Sequence, residues 1–140
     1  MGRSSIKKFD NFCSKLDSLS PAGEQDLSNE FIQSGIVDKF ALQFELSWKL
    51  LKVLLQYEGD PLGNTGSPRE VLKGAYRCYD FIDQDLWLDM LHDRNVIEHT
   101  YDAKEMNRVL GRVLQDYIPA FAALRDALRE HYGTDLDRMA

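Results

Sequence analysis

Between Asp93 and Tyr101 the chain gathers an arginine, a histidine and a tyrosine as Arg94, His99 and Tyr101. Arg94 offers a permanent charge on a planar fork that fits phosphate oxygens, and His99 carries an imidazole that titrates near neutrality. Such a pair can hold a phosphoryl group, offset charge that develops on it and move a proton, with no metal required. Tyr101 adds a phenol within reach of the same chemistry. Asp93 and Asn95 flank the arginine as supporting or nucleotide-binding groups.

The helical spacing sets a condition on this reading. Residues five apart on a regular helix diverge by roughly 140°, so one helix does not aim Arg94 and His99 at one phosphate. Either the helix loosens by His99, or two subunits pool their residues. Arg94 also falls in line with Trp87, Met90 and Leu91, an apolar stripe where a guanidinium is costly unless an anion meets it. A plain structural alternative stays open, in which Arg94 pairs with Glu98 at i, i+4 and His99 merely sits near the helix end.

The elements that must position these residues are legible from periodicity. Phe9, Phe12, Cys13, Leu16 and Leu19 predict a first helix over 7–19, broken by Pro21-Ala22-Gly23. A long second helix is expected from Glu24 to Glu58, closed by Gly59 and Pro61. It carries two apolar stripes: Val37, Phe40, Phe44, Trp48, Leu51 and Leu55 on one side, and Leu42, Leu46, Leu50 and Val53 nearly opposite. One core needs one stripe, so the second implies cover from further helices or from a partner subunit. Ser67-Pro68-Arg69-Glu70 predicts a cap and a helix starting at Pro68. Residues 79–85 read as a connector, Leu86 opens a fourth helix, and Asp102 with Glu105 caps a fifth. Pro119 is expected to kink that last helix before Gly133 ends it. The fold class is therefore all-α, an antiparallel up-and-down bundle of four to five helices in one domain over 1–140.

Composition narrows the class further. The 140 residues are 44% hydrophobic and 29% charged, ordinary values for a globular chain, and no apolar run is long enough to span a bilayer. No export signal is visible, Ile6 departs from a myristoylation pattern, and a soluble cytoplasmic protein is expected. Cys13 and Cys78 lie far apart without a metal-binding spacing, so they read as reduced thiols. A net charge of −6 disfavours extended, non-specific binding to nucleic acid.

Weaker signals have plainer readings beside them. Arg69, Lys73 and Arg77 at i, i+4, i+8 would track an RNA backbone, but such a stripe is usually a solvated helix face. Asp89, His92 and Asp93 share helical spacing without a second shell, so no metal is assigned. Gly66-Ser67 and Asp83-Gln84-Asp85 superficially match the Gly-Ser and Asp-x-Asp pair of nucleotidyltransferases, yet Ser67 is explained as a cap and no β-rich segment accompanies them. The Gly59–Gly66 loop lacks the Gly-Lys-Ser/Thr ending of a phosphate-binding loop.

Phe44-Glu45-Leu46-Ser47-Trp48-Lys49-Leu50-Leu51-Lys52, then Glu58-Gly59, Ser67-Pro68-Arg69-Glu70, and Leu86 through Asn95 to His99-Thr100-Tyr101-Asp102 occur in this order. With them the chain resembles the nucleotidyltransferase substrate-binding protein family, part of the HEPN superfamily. The resemblance spans most of the chain. It implies a dimerising bundle that serves a cognate, separately encoded minimal nucleotidyltransferase in a toxin–antitoxin-like pair, without a cofactor. It also implies that the R-x4-H pair, here Arg94 and His99, forms a metal-independent ribonuclease site at the dimer interface. Tyr101 would then accept AMP from the transferase, silencing the site by charge and bulk. Three functions follow as expectations: a partner subunit for the transferase, an active endoribonuclease, or a purely structural interaction bundle. RNA or a nucleotide is the expected ligand, with Arg69, Lys73, Asn95 and Asp93 in supporting roles.

Overall fold

The computed structural model describes residues 2–99 and 102–137, and Thr100 and Tyr101 lie outside them. Helix α1 (Arg3–Leu19) is followed by a 3-10 turn (Ser20–Glu24), α2 (Glu30–Tyr57), a second 3-10 turn (Pro61–Asn64), α3 (Pro68–Cys78) and α4 (Gln84–His99). Next, α5 (Ala103–Arg112), a π turn (Val113–Tyr117) and α6 (Ile118–Tyr132) run on without interruption, and a short α7 (Thr134–Asp137) closes the described chain. Among the described residues there is no strand, and the fold is the all-α bundle expected from the periodicity.

Element ends follow from caps. The second helix starts at Glu30 rather than Glu24, because Asn29 turns its side chain onto the free N–H groups of Phe31 and Ile32. Ahead of it the 3-10 turn, with Pro21 in its first turn, ends at Glu24, and residues 25–29 form a non-helical link. Ser67 caps α3 by accepting from the Glu70 N–H, as its spacing predicts. Helix α4 begins two residues ahead of Leu86, since the Asp83 side chain accepts from the Leu86 N–H at 3.2 Å. That explains the first carboxylate of the Asp-x-Asp pattern as a cap. Gly59 adopts φ 78°, the left-handed conformation that lets the chain leave α2.

The expected kink at Pro119 takes the form of the π turn just before it. Proline has no N–H to return to the carbonyl four residues back, and the helix widens there by one residue. This places Tyr117 inward, stacked on Phe40 at a centroid separation of 5.1 Å.

Helix α2 is the central rod, with α1, α3, α4 and α5 packed on it. Its stripe Val37, Phe40, Phe44, Trp48, Leu51 and Leu55 is buried, together with Phe9, Phe12 and Leu16 of α1 and Trp87, Met90 and Leu91 of α4. The second stripe is covered unevenly. Leu50 is fully buried and Leu46 and Val53 are half-buried, while Leu42 stays 45% exposed and Phe31, on the first turn of α2, 88% exposed. No helix of the described residues is long and apolar enough to cross a membrane.

Candidate functional site

Helix α4 carries the central motif and remains a single helix through His99. Its Trp87, Met90 and Leu91 are buried, which fixes the rotation of the rod and turns Arg94 toward α2. There the guanidinium lies 5.6 Å from the Phe44 ring centroid and donates through Nη1 to Glu45 Oε1. Glu98 Oε1 sits 3.6 Å from the same Nη1, so the anticipated i, i+4 pair exists as the longer of two contacts. The anion that the apolar position of Arg94 demands is therefore Glu45, from 49 residues earlier in the chain.

Glu45 is itself anchored. Trp48 Nε1 donates to its Oε2 at 3.0 Å, and the Lys49 ammonium stands 3.8 Å from the same oxygen. The Arg94 side chain is 16% exposed, and its Nε is buried with no acceptor among the described residues. A buried donor left unpaired costs about 1–3 kcal/mol, which marks this guanidinium as incompletely satisfied by the protein.

His99 lies on the other side of α4. It is exposed and lines a shallow cleft of about 410 Å³ with His92, Asn95, Val96 and Glu105. Arg94 is not among the lining residues, in keeping with the divergence of two side chains five residues apart. One chain thus brings His99 and Asn95 together and sets Arg94 against α2. Tyr101 lies outside the described residues.

Asp93 has a different place from its neighbours. It is 1% exposed, and both carboxylate oxygens are engaged. Arg108 Nη2 donates to Oδ1 at 2.8 Å, and the Tyr117 hydroxyl donates to Oδ2 at 2.5 Å. Burial first, and then the bond to Asp93, push the Tyr117 phenol well above its ordinary value of 10.0. The bonds that Arg108 donates to Asp93 and Glu105 likewise hold its guanidinium protonated. Asp93 therefore supports the site from beneath, pinning α4 to α5 and the π turn, and it does not face a ligand.

The weaker candidates are dispersed. Lys73 pairs with Glu70 at 3.4 Å and Arg77 with Asp60 at 2.5 Å, which leaves Arg69 as the member of the basic stripe with no ion pair among the described residues. Asp89 sits 3.3 Å from Arg112 and Asp93 is enclosed, so neither is poised with His92 around a cation. Sequence reasoning missed Glu45, Trp48, Arg108 and Tyr117 as neighbours of the motif. His92, weighed there only as a metal ligand, was legible as a neighbour of His99, since a spacing of seven returns a helix to nearly the same face.

Two comparisons bear on this arrangement. A curated protein of Haemophilus influenzae named "Probable ribonuclease HepT" is 29% identical over 105 residues, spanning 73% of this chain and 70% of that protein. Residues 5–130, which include Glu45, Asp93, Arg94 and His99, match the family described as "Nucleotidyltransferase substrate binding protein like". The chain belongs to that family, the nucleotidyltransferase substrate binding protein-like proteins.

Proposed function

We propose that this chain is a HEPN-type subunit that pairs with a separately encoded minimal nucleotidyltransferase, and that Arg94 and His99 receive a phosphate-bearing ligand across a dimer of the chain. The observation that carries this reading is the under-satisfied guanidinium of Arg94, held against Phe44 and Glu45 of α2 with its Nε buried and without an acceptor among the described residues. In a dimer, the Arg94 of one copy and the His99 of another meet around one anion, which a single copy does not achieve. Leu42 and Phe31 supply exposed apolar surface for such an association. Tyr101, two residues beyond His99, is the acceptor for AMP transfer in this scheme, where an added phosphate would occupy the anion site.

The relative named as a probable ribonuclease favours a second reading of the same site. Arg94 would stabilise the phosphorane formed when a ribose 2′-hydroxyl attacks the adjacent phosphodiester; the P–O5′ bond then breaks to leave a 2′,3′-cyclic phosphate, and His99 would carry the proton lost by the 2′-oxygen to the departing 5′-oxygen. No metal enters this chemistry. The decisive experiment mixes the purified chain with a minimal nucleotidyltransferase from the same organism and follows both complex formation and RNA integrity in EDTA. A stable complex is expected, together with cleavage that Arg94→Ala and His99→Ala abolish. Absence of association over a wide concentration range would remove the partner role, and cleavage that persists in both variants would remove the ribonuclease mechanism.

A further inference from the structure

Arg94 is held by a relay that the motif itself does not contain. Its Nη1 donates to Glu45 and pairs with the Glu98 carboxylate, and its Nε has no acceptor among the described residues. A guanidinium presents two edges for bidentate bonding, one of them made by Nε with a neighbouring Nη. Anchoring Nη1 leaves that side-on edge as the one to be completed by an incoming anion.

The anchor is stiff. Glu45 is fixed through its other oxygen by Trp48 Nε1 at 3.0 Å, and Trp48 is itself 8% exposed. Phe44, on the preceding position of α2, lies under the guanidinium plane at 5.6 Å. A carboxylate tied down in this way cannot follow the arginine as it moves, so it sets where the guanidinium sits.

We propose that Glu45, locked by Trp48, is a positioning residue that holds Arg94 by one corner so that its Nε edge receives the phosphate oxygens of RNA. This rests on the reading of Arg94 as the phosphate-binding group. Without the clamp the guanidinium loses its fixed aim, so affinity falls even though its charge is unchanged.

The test measures binding of a short fluorescent single-stranded RNA by anisotropy, with thermal unfolding in parallel, for the full chain and for Arg94→Ala, Glu45→Ala, Glu45→Gln and Trp48→Phe. Arg94→Ala and Glu45→Ala should each weaken binding by about tenfold or more, the scale of one charge-assisted hydrogen bond. Glu45→Gln retains an acceptor for Nη1 and should recover part of that loss. Trp48→Phe, which keeps an aromatic ring and deletes the indole donor, should weaken binding by about threefold. Unfolding midpoints close to that of the unmodified chain would separate aim from folding, and Glu45→Gln carries the comparison if Glu45→Ala does not fold. If Arg94→Ala weakens binding and both Glu45 variants bind as the unmodified chain does, the positioning role is wrong and the phosphate reading stands. Tighter binding by Glu45→Gln would make Glu45 a blocker of the site and equally overturn the proposal. If Arg94→Ala itself binds RNA unchanged, the phosphate reading fails and this inference fails with it.

Discussion

Replacing Asp93 by asparagine keeps the size of the side chain and deletes the charge around which Arg108 and the Tyr117 hydroxyl are arranged. The Asp93 side chain is 2% exposed and Arg108 39% exposed, so only the carboxylate has lost its water. The arginine can rehydrate when its partner is neutralised, which limits the penalty relative to a fully enclosed pair. Asp93→Asn is therefore expected to lower unfolding stability by about 1–3 kcal/mol in chemical denaturation. A loss below about 0.5 kcal/mol would show that the neutral amide serves the same two donors equally well. Since Asp93 immediately precedes Arg94, the same change also loosens the helix that aims both Arg94 and His99.

At the scale of elements, caps decide more boundaries than hydrophobic pattern does. The run from Glu24 onward is compatible with a helix, yet Asn29 gives the N–H groups of Phe31 and Ile32 a better partner and starts α2 at Glu30. Asn29→Ala should cost about 1 kcal/mol and lower the thermal midpoint by several degrees. An unchanged midpoint would mean that tertiary packing alone holds the start of α2. The π turn follows a related logic. Pro119 withholds a donor from the helix, and the resulting widening delivers Tyr117 to Asp93 and Phe40. An element of one helix is thus bent to support the helix that carries the site.

For the whole molecule, several acidic protons are held by burial. Cys13 is pushed from 9.0 up to about 11 by burial, and burial also raises the phenols of Tyr79, Tyr117 and Tyr132 above 10.0. The unfolded chain releases these protons from about pH 9 to 10, while the folded chain retains them. Unfolding then liberates protons, so the contribution is fully present below pH 9 and is lost as pH rises toward and beyond 11. Denaturant midpoints measured from pH 7 to 11 should stay level up to about pH 9 and then fall. A profile that is flat to pH 11 would contradict the burial of these groups. Alkylation of Cys13 at pH 8 should be slow for the same reason, because the thiolate is the reactive form.

The sequence alone determined that helices form, roughly where they lie, and which stripe of α2 faces a core, because these depend on spacing along the chain. Val37, Phe40, Phe44 and Trp48 were legible for that reason, as were the Ser67 cap and the exit at Gly59. It also exposed Arg94 as a cation on an apolar stripe that needs an anion. Only the tertiary structure named Glu45 as that anion, since packing of α4 on α2 brings together side chains with no local relation. The same holds for Asp93, whose neighbours Arg108 and Tyr117 come from helices that turn back on α4. Local pattern sets which face of a helix is buried. Which charge waits on the other side is settled by how the rods cross.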